Sequence, residues 1–267
     1  MKTIISLTSI PSRFPSLGPT LSSLVAQGAD EVRLYIPTAY RRFPAWDGHL
    51  PDVPDGVQIV RCAEDLGPAT KVLPAVRDFQ GQDVQILFCD DDCILPKDWA
   101  PKLFRVQRKH SENVVAVYAR PAYLERRLPI DLPYAWQIPL KYDFPYRFMR
   151  LMHKLFHVSP PKRRPFWISG YGDVFFGAGG VVVRPHFFDE SDYQIPEVAW
   201  FVDDVWLSAA VARKSIKIYC PAFFPLPGTN ESTAVDALLD FTQAGVGRDE
   251  SNHNASKYCR DKFGIWK

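Results

Sequence analysis

The chain has 267 residues, 46% of them hydrophobic and 23% charged, the composition of a folded globular protein rather than a disordered, collagen-like or coiled-coil one. Its 32 basic and 30 acidic residues leave a net charge of +2, too balanced for a protein whose main task is coating nucleic acid. A chain this long buries roughly three-quarters of its unfolded surface, so a full core needs no covalent staples. No run approaches the ~20 apolar residues of a membrane span.

The opening MKTIISLTSIPSRF carries a short apolar run cut by Ser, Thr and Arg, with no small-residue cleavage site, and reads as a first strand rather than a leader. Residues 3–8 form this strand, and SIPSR ends it. From residue 17 to 27, Leu17, Leu21, Leu24 and Val25 share one helical face, and Gly28 stops it. EVRLYIP (31–37) and VQIV (57–60) are further strands, and a helix is expected near 69–79, weakened by Pro74. VQILFC (84–89) is continuously apolar, as a strand buried on both faces is. A helix over PKDWAPKLFRVQRKH and a strand at 114–118 follow. Strands alternating with helices predict an α/β fold with a mainly parallel sheet.

Between residues 121 and 165 the alternation breaks. Eight of the 24 prolines fall there, and 141–165 alone carries +6, so the remaining chain carries −4. A solvated loop with a short helix near 146–156 explains this stretch. So does a basic, aromatic surface for an anionic lipid, membrane face or polysaccharide. After it come a Gly-rich strand pair (170–184), a helix opened by acids (203–213), a strand at IKIYCP and a polar tail. The five cysteines are odd in number, scattered and without a CxxC pair, which points to a reducing, cytoplasmic compartment.

Five segments could carry chemistry. ILFCDDDCILP ends a buried strand in Asp90, Asp91 and Asp92, at the sheet edge where α/β folds bind ligands. Strand alternation would set Asp90 and Asp92 on one side and Asp91 on the other. Two such carboxylates suit Mg²⁺ or Mn²⁺, completed by substrate phosphates; an acidic turn in water is the plain alternative. WFVDDVW places Asp203 and Asp204 at a helix start, where carboxylates also simply favour the dipole, or where one could serve as a general base. In GAGGVVVRP the glycines lead into a strand, so the dinucleotide fingerprint fails. Gly179 and Gly180 then mark either close approach to a substrate or a bulge. LGPATK lacks the Walker ending, leaving Lys71 as a diphosphate partner or a surface lysine. In the tail, His253 is a metal ligand or plain surface.

Taken in order, SLTSIPSR, LGPATK, CDDDC, GAGG, VDDVW and the NHN tail resemble the GT-A-fold glycosyltransferases, of the family-2-like type of bacterial polysaccharide and lipopolysaccharide assembly. The resemblance implies a single Rossmann-like domain, with residues 1–118 as nucleotide-binding half, 119–169 as a basic, aromatic insertion and 170–267 as acceptor-binding half and tail. It also implies a nucleotide-sugar donor (a UDP-sugar first among them), Mn²⁺ or Mg²⁺, and a glycan or glycolipid acceptor. Thr8, Ser9, Arg13, Lys71, Asp90 and Asp91 would meet the donor nucleotide. Asp90, Asp92 and His253 would meet the metal, and Gly179, Gly180, Asp203 and Trp206 the acceptor. Asp204 would be the base of an inverting transfer. Asp203 stands where Glu is commoner in that family. The basic, aromatic composition of 141–165 also allows peripheral contact with the inner membrane face. A sugar-phosphate nucleotidyltransferase is a rival, although SLTSIPSR lacks its Gly-rich opening loop; a non-catalytic carbohydrate- or membrane-binding module is another.

Overall fold

A computed structural model describes residues 1–124, 134–137, 143–156, 163–236 and 247–267. In chain order its strands are β1 (Lys2–Thr8), β2 (Glu31–Pro37), β3 (Val57–Cys62), β4 (Val84–Phe88), β5 (Cys93–Ile94), β6 (Val114–Ala116), β7 (Ala119–Arg120), β8 (Trp136–Gln137), β9 (Phe166–Ile168), β10 (Gly170–Gly172), β11 (Val174–Phe175), β12 (Val181–Val183), β13 (Ile218–Cys220) and β14 (Gly228–Thr229). The helices are α1 (Gly18–Val25), α2 (Leu73–Asp78), α3 (Trp99–Lys109), α4 (Phe144–Phe156), α5 (Asp203–Ala212) and α6 (Arg248–Phe263).

Eight strands form one sheet in the order β10-β13-β6-β12-β4-β1-β2-β3. Strands β3, β2, β1 and β4 run parallel, as do β6 and β13, while β12 is antiparallel to both of its neighbours and β10 to β13. The sheet is mostly parallel and covered on both faces. Alternation along each strand divides the core: Ile4, Ile86 and Val183 pack with α2 and α5 residues such as Val76 and Val205, while Ile5, Leu87 and Val182 pack with Leu21 and Leu24 of α1 and Leu103 of α3. Burial on both faces is why these strands read as unbroken apolar runs.

Several expectations need correction. The helix near 69–79 is a 3₁₀ turn, Gly67–Lys71, followed by the short α2, whose first turn accommodates Pro74. The strand placed at 114–118 stops at Ala116. The Gly-rich segment is not a strand pair: β10, β11 and β12 each join a different partner. The polar tail is mostly the sixteen-residue helix α6. Of the basic stretch 141–165, residues 141–142 and 157–162 lie outside the described residues; the helix within it starts at Phe144, with Asp143 Oδ1 accepting the Tyr146 N–H at 3.2 Å. Among the described residues no helix is long and apolar enough to cross a membrane.

Candidate active site

The site assembles at the carboxyl ends of β1 and β4, where the segment after β3 and the start of α5 meet them. Strand β4 ends at Phe88, so the aspartate triplet lies in the turn that follows, where the two-residue alternation of a strand no longer holds. Asp90 and Asp91 diverge. Asp91 is buried, with Ser9 Oγ donating to its Oδ2 at 2.5 Å and Arg13 Nη1 to its Oδ1 at 2.6 Å. Burial pushes its carboxyl above the usual range, against the pull of Arg13 and Ser9. Arg13 Nε also donates to the Val235 carbonyl at 2.8 Å, tying the β1 loop to the segment after β14. Thr8 remains in its strand, donating to the Tyr35 carbonyl at 2.7 Å.

Asp90 turns the other way, toward Lys71. The Lys71 carbonyl is pinned to β1 by Ser6 Oγ at 2.6 Å, and its side chain runs inward to become almost fully buried. Its Nζ lies 2.7 Å from Asp90 Oδ1, 2.9 Å from Asp203 Oδ2 and 3.9 Å from Asp204 Oδ1. Burial alone would strip its proton; Asp203, Asp90 and Asp204 together hold its affinity well above the ordinary lysine value. Lys71, expected to meet a diphosphate or solvent, is instead the cation at the centre of three carboxylates.

Both acids of α5 are buried, Asp203 at 2% and Asp204 at 8% exposure. They occupy the first helical turn, whose free N–H groups favour negative charge. Asp204 Oδ1 accepts the Gly177 N–H at 3.0 Å. Burial first, and then the like charge of Asp203, raise its carboxyl to about 7, with Lys71 pulling the other way. A carboxylate so placed can take a proton near neutral pH, which an ordinary surface aspartate does poorly. Tyr123 lies near enough for the Asp204 charge to contribute to its raised hydroxyl, after burial.

Gly177 closes this cluster. A Cβ there would lie 2.5 Å from Lys71 Nζ and 2.6 Å from Asp90 Oδ1. Its neighbours are used differently from expectation. Gly179 is packed against Tyr118, and Gly180, at φ +80°, faces the Trp99 ring, where a Cβ would come within 2.4 Å. Both are buried and account for their missing side chains by core packing. Trp206 is likewise a core residue, 2% exposed, its Nε1 donating to the Asp192 carbonyl at 2.8 Å; it is corrected from an acceptor contact to a structural one. Sequence reading passed over Ser6, Gly177 and Tyr123. Gly177 stood in the quoted glycine motif, while nothing local marks Ser6 or Tyr123.

Among the described residues no group of three or more His, Cys, Asp or Glu side chains converges as a metal cage. The donor chemistry nonetheless fits a hard cation completed by substrate. Asp90 has a side chain one-third exposed with Oδ1 on Lys71, and Asp92, partly exposed, follows in the same turn. His253 is exposed on α6, with Nδ1 2.8 Å from the Tyr123 carbonyl oxygen. A carbonyl only accepts, so Nδ1 is the donor in this contact.

Residues 48–165, which include Lys71 and the whole triplet, match the family model described as Glycosyl transferase family 2. No curated protein matches the chain. Among solved structures the chain is similar to S. aureus TarS, with 13% identity over 87% of this chain and 37% of that one, at a TM-score of 0.44. It is also similar to a mycobacterial protein, with 11% identity over 99% of this chain and 75% of that one, at a TM-score of 0.48. The chain thus spans little more than a third of the length of TarS. The matched segment, less than half of the chain, is thus similar to family-2 glycosyltransferases, and it lies in an α/β fold whose mostly parallel sheet is sandwiched between helices.

Proposed function

We propose that the chain transfers a sugar from a nucleotide-sugar donor, a UDP-sugar first among the candidates, to a hydroxyl of a glycan or glycolipid, with inversion at the anomeric carbon. The observation that carries this reading is Asp204: a buried carboxylate, fixed by the Gly177 N–H, whose proton affinity sits near neutrality. In the proposed step the acceptor oxygen forms a bond to the anomeric carbon as the bond from that carbon to the diphosphate oxygen breaks. Asp204 takes the hydroxyl proton, and the nucleoside diphosphate leaves with the bonding pair. A base placed opposite the leaving group gives inversion. General-base assistance of this kind is worth about 10²–10⁴-fold.

The two halves of the chain divide the work in this reading. Thr8, Ser9, Arg13 and Asp91 face the nucleoside from residues 1–118, and the Arg13–Asp91–Ser9 network holds their loop in shape. Asp203 borders the acceptor from residues 170–267. Lys71 keeps Asp90, Asp203 and Asp204 together and lowers the cost of their shared burial. Asp90 and Asp92, with His253 as a further candidate through Nε2, would hold Mn²⁺ or Mg²⁺, which neutralises charge on the departing diphosphate when bound.

A panel of nucleotide sugars assayed for release of nucleoside diphosphate tests the proposal, with Mn²⁺ present or chelated. One donor should be consumed in a metal-dependent way, and Asp92→Asn should abolish this while leaving the melting transition in place. Release of pyrophosphate from a nucleoside triphosphate, or full activity of that variant under chelation, would refute it.

A further inference from the structure

Helix α4 stands apart from the core: none of its thirteen residues is buried. Phe144, Phe148, Leu151, Leu155 and Phe156 are each between 51% and 69% exposed. At about 100° per residue these five, with Met149 and Met152, fall within one arc of less than half the circumference, and Arg147, Arg150, His153 and Lys154 fill the opposite side. The helix contains no Asp or Glu. A helix of this length is marginal by itself in water, so an apolar arc of this size is a surface awaiting a partner.

We propose that α4 lies flat in the interface of a bilayer containing anionic lipid. The apolar arc enters the acyl boundary, and Arg147, Arg150 and Lys154 reach the level of the lipid phosphates. Three features favour this occupant. The charge is one-signed, with no acid anywhere on the helix, which suits an anionic surface. The arc is made of Phe, Leu and Met, residues that enter the headgroup boundary without needing a shaped pocket. At about 20 Å the helix is too short to span and long enough to lie in the plane. The inference stands independently of the sugar-transfer reading, since it concerns where the chain sits and not what it catalyses.

The test is sedimentation of the full chain with vesicles of phosphatidylcholine, with and without phosphatidylglycerol, at low and high salt. Binding should require phosphatidylglycerol and weaken as salt rises. Each basic residue near such a surface is worth about five-fold in partition, so Arg147→Gln/Arg150→Gln/Lys154→Gln should bind about 100-fold more weakly. Leu151→Asp/Leu155→Asp should release the chain from the vesicles without moving its melting temperature, because these side chains pack against no core. The proposal is overturned if neutral and anionic vesicles bind equally, or if either variant binds as the parent does. It is also overturned if the chain ignores vesicles and sediments as a dimer that Leu151→Asp/Leu155→Asp disperses, which would assign the arc to a second copy.

Discussion

Replacing Asp204 with Asn should make the protein more stable and less active at once. The Asp204 carboxyl is buried between Asp203 and Lys71, and its rise from an ordinary 3.8 to about 7 corresponds to about 4 kcal/mol spent on ionising it within the fold. The folded state therefore holds this proton more tightly than the unfolded chain does. Its contribution to stability is complete below about pH 4 and is lost as pH rises through about 7. Asn has the same shape and keeps an oxygen for the Gly177 N–H, but it never ionises. Asp204→Asn should thus match the parent near pH 4 and exceed it by about 4 kcal/mol near pH 8, some 7 °C in melting temperature for a chain of this size. Thermal unfolding across that range, followed by far-ultraviolet circular dichroism, measures the difference. A variant that is less stable than the parent at pH 8, or displaced equally at both ends, would show that burial of this charge is not what sets the Asp204 proton affinity.

Other consequences follow from the same cluster. Lys71→Met leaves the buried Asp203 and Asp204 and the part-exposed Asp90 with no cation and should cost about 3–5 kcal/mol in denaturant unfolding; the loss should shrink in the Asp204→Asn background, which a double-mutant cycle reads directly. Gly177→Ala puts a methyl group 2.5 Å from Lys71 Nζ and 2.6 Å from Asp90 Oδ1, so the ion pair must part; turnover should fall about 10²-fold with the fold retained. For the unaltered protein, kcat/KM should climb with unit slope toward about pH 7 and level off above it, because the base works only when ionised.

What the sequence reveals depends on whether the relevant physics is local. Strands β1, β2 and β4 are legible because burial on both faces leaves continuous apolar runs. The acids opening α5 are legible because they precede a run apolar on all sides, the mark of a helix sunk in the core. Helix α6 is hidden because the residues it buries, Asn252, Ala255, Ser256 and Cys259, keep helical spacing but are small or polar, so no hydrophobic period shows. Lys71 is visible as a charge, yet its burial follows from partners far along the chain, Ser6, Asp90, Asp203 and Asp204. The glycines were visible too. That Gly177 backs an ion pair while Gly179 and Gly180 back Tyr118 and Trp99 is a matter of what approaches them in space.

Single-turnover transfer by the parent and Asp204→Asn, each preloaded with the same nucleotide sugar and then mixed with acceptor, bears most directly on the role given to this carboxylate. The two should hold the donor with equal affinity, and the variant should pass the sugar on at least about 100-fold more slowly, to a product of inverted configuration in the parent. Equal transfer rates, or a product of retained configuration, would contradict the assignment of Asp204 as the base.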